Sequence, residues 1–318
     1  MTKILVIGGS GYVGSSLLPS LHDNGYDISS VDVEWFGDFL PARVRDTRQV
    51  KDVSAVSSQD LEGVEHVIYL ASVANDPSVD LNPAFSWEVN VLKLSGFLDL
   101  CRRRAKLKSF IFASSGSVYG LSDAPRVHEE IELVPLSAYN KTKQVAERVC
   151  LSYSDYFKVH IIRPATVCGL SNRMRFDVVV NLFVLQAFKD KRVKVTGGQQ
   201  IRPNIHMKDM VAVYLHFLKN YDLPSGTYNA GFENLPISEI ATMVSDVSGV
   251  DVELVSSNDP RSYRLDSSKL TETGFARSHS VSDAIKEMYE ALNSGFIFDD
   301  PRFHTVQWML KEGIGATK

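Results

Sequence analysis

Apolar positions in the first half of the chain fall into two alternating kinds of run. Residues 4–7 (ILVI) form a short, wholly apolar stretch that ends in glycines, the pattern of a strand buried on both faces. From Tyr12 to Asn24, the apolar residues Val13, Leu17, Leu18 and Leu21 repeat at helical spacing, and Gly25 is a natural stop. Residues 27–33 then read as a second strand and 42–45 as a short third. Residues 66–70 (HVIYL), 110–113 (FIFA) and 159–162 (VHII) read as further strands. Two long helical patterns, 83–104 and 138–156, separate them. Strand, helix and strand repeated in this order predict an α/β fold, a Rossmann-type doubly wound parallel sheet with helices on both faces.

After Arg163-Pro164 the segments become shorter and less regular. Helical periodicity spans 177–189, 207–219, 238–248 and 281–293, with short strands at 193–196, 227–229 and 252–255. The expected division is a larger half, 1–165, and a smaller C-terminal α/β lobe, 166–318. No repeat, low-complexity tract or linker separates them, so the halves are expected to interleave along a shared interface.

The composition, 44% hydrophobic and 23% charged over 318 residues, is that of a globular chain long enough for a large core. A net charge of −4 with interspersed signs argues against nucleic-acid binding. Arg102, Arg103 and Arg104 close an apolar helical stretch, where cations suit the helix C-terminus. Cys101, Cys150 and Cys168 lack metal-site spacing, so no zinc site or disulfide framework is expected, and the first two read as small core residues. Met1-Thr2-Lys3 runs straight into the first strand without a signal-peptide pattern, and no apolar stretch has the length of a membrane span. The expected compartment is the cytoplasm.

The chemistry begins at Gly8-Gly9-Ser10-Gly11-Tyr12-Val13-Gly14, between the first strand and the first helix. Glycines here permit a tight turn and let backbone N–H groups reach a pyrophosphate, which the positive helix N-terminus also favours. The second strand ends at Asp32, the expected place for an acid that hydrogen-bonds the adenosine ribose. A carboxylate there repels a 2′-phosphate, so the expected cofactor is NAD rather than NADP.

Tyr139 and Lys143 form a YxxxK pair at the start of a helix, on one helical face. Free tyrosine has a pKa of about 10, too high for a base at neutral pH. A nearby ammonium lowers it, as does a nicotinamide cation. Tyr139 is then a candidate base for a hydroxyl whose carbon gives up hydride. Ser114-Ser115-Gly116-Ser117-Val118-Tyr119-Gly120 lies just beyond a strand end, where ligands bind in open α/β sheets, and a serine there can hold the substrate oxygen.

Together the glycine turn, the serine segment and YxxxK resemble the extended short-chain dehydrogenase/reductases, the NAD-dependent epimerase/dehydratase family that acts on nucleotide sugars. The resemblance covers nearly the whole chain. It implies Ser115, Tyr139 and Lys143 as catalytic residues, with Ser117 a further substrate contact. It implies that Asp46 contacts the adenine, that Leu70-Ala71-Ser72 lies beside the nicotinamide ribose, and that Asn90 supports the cofactor site. It places Asn181 near the sugar diphosphate and Arg202 and Arg261 on its phosphates. Cys168 stands where the family often has a VYG motif, and with the following 170–173 is expected to shape the sugar pocket. Where 4,6-dehydratases carry an Asp-Glu pair, this chain has Gly116 and Ser117, which argues against dehydration.

The activity implied is epimerisation of a nucleotide-activated sugar, at C4, through a transient keto intermediate. Two other readings stand beside it: a nucleotide keto-sugar reductase using NAD(P)H, and a non-catalytic NAD-sensing protein on the same scaffold. The helices around 91–100 and 145–151 carry apolar residues, and the resemblance implies that they pair with a second copy in a homodimer.

Overall fold

The computed structural model describes residues 1–120, 124–255 and 262–315. Strands β1 (Lys3–Ile7), β2 (Asp27–Asp32), β3 (Arg48–Val50), β4 (Val64–Tyr69), β5 (Ser109–Ala113) and β6 (Lys158–Pro164) follow one another through the first half. The second half supplies β7 (Thr166–Cys168), β8 (Arg192–Thr196), β9 (Ile201–His206), β10 (Gly226–Ala230), β11 (Glu233–Pro236) and β12 (Asp251–Val255).

Seven of these strands form one parallel sheet in the order β3-β2-β1-β4-β5-β6-β10. The first strand shows why the sheet is covered on both sides. Ile4 and Val6 join one buried apolar cluster, whereas Leu5 and Ile7 join the other. Alternation has a period of two, so a run apolar at every position must be buried on both faces. The strand order reverses at β1, between β2 and β4, and the crevice at that reversal is where open α/β sheets bind ligands.

Three expectations are corrected. Residues 42–45 are not a strand but a short helix, Ala42–Arg45, with Pro41 in extended conformation at its start. Alanine and arginine are good helix formers, and the third strand falls instead on β3. The strand expected at 227–229 does not belong to the smaller sheets: as β10 it pairs with β6 in the main sheet. All five residues from Val159 to Arg163 are buried, so β6 needs a neighbour on its outer side, and β10 provides it. The helix expected to reach 156 ends at Leu151, where Ser152 caps it and Tyr153 and Ser154 bond back three residues in tight turns.

The pattern at 83–104 is continuous as a helix but not uniform. Pro83–Trp87 and Lys93–Arg104 are α-helical, and between them Glu88–Leu92 forms a π-turn. Such turns re-aim a side chain inside a helix. Here the residue concerned is Asn90, 3% exposed. The smaller sheets, β7-β9-β11 and β8-β12, pack with helices Val179–Lys189, Ile237–Ser248 and Val281–Asn293. Among the described residues no helix is long and apolar enough to cross a membrane.

Candidate active site

The turn after β1 and the segment after β4 meet at the reversal of strand order. Gly8 has φ +90°, and a Cβ there would lie 2.6 Å from the backbone N of Ala71. A Cβ on Gly14 would lie 2.6 Å from the carbonyl oxygen of Gly9 and closer still to that of Gly8. Gly11 differs, since its added Cβ would meet only the Gly8 carbonyl, at 3.5 Å, and it lines the cavity. Two glycines therefore let the turn close on itself, and the third leaves its cavity side open. Gly14→Ala is expected to cost about 1–3 kcal/mol through backbone displacement. Urea unfolding together with ADP-ribose titration would show both the lower midpoint and the weaker binding.

Two cavities open along this crevice. The smaller, about 760 Å³, is lined by Ser10, Asp32, Trp35, Asp52, Val53 and Leu70, among others. The larger, about 1950 Å³, reaches from the glycine turn to Ser115, Tyr139 and Lys143 and on to Arg202 and Tyr263. Gly8, Gly11, Trp35, Phe36, Leu70 and Ser72 line both, so the two are one continuous channel. Asp32 stands in the smaller part, where its carboxylate accepts the N–H groups of Ser10 at 2.9 Å and Glu34 at 2.8 Å. Burial raises its pKa above the usual carboxylate value, and these two N–H groups oppose the shift. Glu34 lines the same rim, and Arg48 is committed to Glu34 and Asp38 at 3.3 and 2.9 Å. The residues fit a dinucleotide: a glycine cradle beside the phosphate path, and an acid fixed at the ribose end.

Tyr139 and Lys143 project into the larger part from the helix Ala138–Leu151, whose start is capped by Ser137 accepting the Asn140 N–H at 3.1 Å. Lys143 is 3% exposed and donates to the Ala113 carbonyl at 2.8 Å, with its ammonium 6.0 Å from the centre of the Tyr139 ring. Burial pulls the Lys143 pKa down to about 8. Burial also raises the Tyr139 pKa, and the shift is opposed first by the charge of Arg175 and then by a hydrogen bond with Ser115. Ser115 caps the short turn Gly116–Tyr119, and its hydroxyl lies 2.8 Å from that of Ser117, which donates to Asn140 Oδ1 at 2.7 Å. Tyr139, Ser115, Ser117 and Asn140 thus form one hydrogen-bonded chain.

The structure sorts the remaining candidates. Leu70, Ala71, Ser72, Tyr12, Val13 and Arg202 line the channel. Asp46 does not: it caps the short helix Ala42–Arg45 and is exposed, whereas Asp52 and Val53 line the smaller cavity. Asn90 holds the segment after β4, accepting from Ser72 Oγ at 3.1 Å and Val73 N at 2.8 Å and donating to Thr142 at 3.1 Å. Asn181 is fully buried away from the channel, spending its amide on Gly169 N, Tyr12 Oη and the Arg175 carbonyl. Cys168 is fully buried and its thiol faces the Ile205 carbonyl, so it does not shape the pocket surface. Arg261 lies outside the described residues. Sequence reasoning missed Arg175, held by Asp177 at 3.0 Å beside Tyr139, and the C-terminal residues Thr305, Val306 and Met309 that wall the channel. Neither group has a periodicity or motif that announces it.

Comparison with known proteins agrees with this geometry. Residues 4–231 match the NAD dependent epimerase/dehydratase family. A putative UDP-glucose 4-epimerase from Methanocaldococcus jannaschii is 30% identical over 70% of this chain and 76% of its own. An uncharacterized UDP-glucose epimerase from Bacillus subtilis is 28% identical over 78% of this chain and 82% of its own. Among solved structures, UDP-glucuronic acid 4-epimerase from Bacillus cereus, in complex with UDP-glucuronic acid and NAD, superimposes with a TM-score of 0.81 at 25% identity, over 92% of this chain and 99% of that one. With the glycine cradle, the ribose acid and the Ser-Tyr-Lys group in one channel, this chain belongs to the NAD-dependent epimerase/dehydratase family.

Proposed function

We propose that the protein is an NAD-dependent epimerase of a nucleotide-activated sugar, acting at C4. The observation that supports this reading best is the convergence of Ser115, Tyr139 and Lys143 on a channel continuous with the dinucleotide groove. Bound in the groove that Gly8, Gly11 and Asp32 line, NAD would supply the hydride acceptor and donor for the sugar carbon. Tyr139 removes the hydroxyl proton and later gives it back. Ser115, already bonded to Tyr139, holds the sugar oxygen as it becomes a ketone. Arg175 supplies the positive charge that opposes burial of the phenolate, and the Lys143 ammonium, 6.0 Å from the ring centre, would hold the nicotinamide ribose. Arg202, on β9 at the far end of the channel, faces the substrate's diphosphate. The roles divide between 1–165, with most of the cofactor and catalytic residues, and 166–318, which binds the nucleotide sugar and adds Arg175 beside Tyr139.

Dehydration fits less well. Gly116 and Ser117 occupy the positions of the paired acids, and the two nearby carboxylates are engaged. Asp76 accepts from Ser137 at 2.5 Å and Asp177 pairs with Arg175 at 3.0 Å. A cytoplasmic homodimer would form through the helices around 91–100 and 145–151, where Leu92 is 65% exposed.

The test uses purified protein without added cofactor. Denaturation is expected to release NAD, and fresh enzyme is expected to interconvert two epimers from a panel of nucleotide sugars. Protein that emerges empty, and turns over only with reduced cofactor and a keto sugar, would instead be a reductase.

A further inference from the structure

Arg173 is a buried cation that forms no ion pair among the described residues. It is 3% exposed and lines the larger part of the channel. Among the described residues no carboxylate forms an ion pair with it, since the neighbouring Asp177 is held by Arg175 at 3.0 Å. Its Nη2 donates to the Arg302 carbonyl at 3.1 Å and to Thr305 Oγ1 at 3.2 Å, and its Nε has no partner. The guanidinium carbon sits over Phe36, 3.9 Å from the ring centre, a cation–π contact that adds to its two hydrogen bonds. Burial and the charge of Arg175 bring its pKa down to about 9. A guanidinium so desolvated and left short of partners is costly unless an anion completes it.

Its location says which anion. The segment carrying Arg173 is stitched to the glycine turn. Ser171 Oγ donates to the Tyr12 carbonyl at 2.6 Å, Asn172 Nδ2 to the Ser15 carbonyl at 2.8 Å, and the Arg173 N–H to Ser15 Oγ at 3.0 Å. Along the channel, Arg173 acts electrostatically on Asp32 at the ribose end, while Arg175 acts on Tyr139 at the reaction end. Between the two riboses of a dinucleotide lies its pyrophosphate.

We propose that Arg173 is a ligand of the cofactor pyrophosphate, closing from the C-terminal half the anion site that the glycine turn opens from the other side. Guanidinium and phosphate oxygens match in geometry and charge. Because residues 302–305 hold Arg173, the C-terminal segment takes part in keeping the cofactor bound.

The experiment measures binding to the full chain freed of nucleotide, with ADP-ribose, adenosine and UDP as probes. Arg173→Gln is expected to weaken ADP-ribose by about 10- to 100-fold while leaving adenosine and UDP unchanged, and Arg173→Lys to recover part of the loss. Thr305→Val, which keeps the guanidinium but removes one anchor, is expected to weaken ADP-ribose a few-fold, and this variant carries the test if Arg173→Gln does not fold. Equal loss of adenosine and ADP-ribose would make Arg173 a structural residue. Loss of UDP alone would assign it to the substrate. Unchanged ADP-ribose affinity in Arg173→Gln and Thr305→Val would also overturn the proposal.

Discussion

Tyr139→Phe is expected to lower turnover of the nucleotide sugar by about 10²–10⁴-fold with ADP-ribose affinity and thermal stability unchanged. The substitution removes one hydroxyl and keeps the ring, which packs against the small cluster of Val73, Val79 and Met309. What disappears is the phenol that bonds Ser115 and that the charge of Arg175 acts on, 6.0 Å from the Lys143 ammonium as measured to the ring centre. Burial makes the phenolate harder to form, and the charge of Arg175 and the bond to Ser115 oppose that shift, which is the direction the proposed base requires. Single-turnover measurements on holoenzyme would separate chemistry from binding. A variant that keeps more than about a tenth of the parent rate would put the proton route elsewhere, since general acid–base groups contribute far more than that.

The parts of the site that were legible in the sequence are those in which chemistry and local structure coincide. A glycine turn must sit between strand and helix, and YxxxK must lie on one helical face, so both could be placed by spacing. The acid at the adenine side shows the limit of a motif without local structure. The resemblance points to Asp46, but Pro41 starts a helix there, Asp46 ends it outside the channel, and Asp52, just beyond β3, lines the cavity instead. Asn181 failed for a different reason. Its helix faces inward at that position, so an amide that looked available for phosphate is consumed by Tyr12 and two backbone groups. Arg173 and Arg175 sit in an irregular segment with no period to read. Arg173 is placed by contacts with residues more than a hundred positions away, such as Ser15 and Thr305, and Arg175 by the turn that brings Asp177 back onto it.

Glu147→Ala is expected to destabilise the protein by about 3–5 kcal/mol, the other large effect. Glu147 lies one helical turn beyond Lys143, and its side chain is 4% exposed. It accepts Ser114 Oγ at 2.5 Å and both Nε and Nη2 of Arg163, at 2.9 and 2.7 Å. Arg163 in turn donates to Tyr119 Oη at 2.7 Å, and that hydroxyl donates to Asn229 Oδ1 at 2.7 Å. The network therefore ties the catalytic helix to the ends of β5, β6 and β10, directly beneath Ser115. Removing the carboxylate strands a guanidinium that is 6% exposed and pairs with nothing else of opposite charge in this network. Much of the cost is that stranded charge rather than the worth of the pair, so adding Arg163→Leu to Glu147→Ala should restore part of the stability. Urea unfolding of both variants reads this directly. The double variant should still turn over poorly, because Ser114 and the Lys143 helix lose their common anchor. A loss below about 1 kcal/mol in Glu147→Ala, the range of an exposed pair, would mean that water reaches Arg163 and that the catalytic helix is held by packing alone.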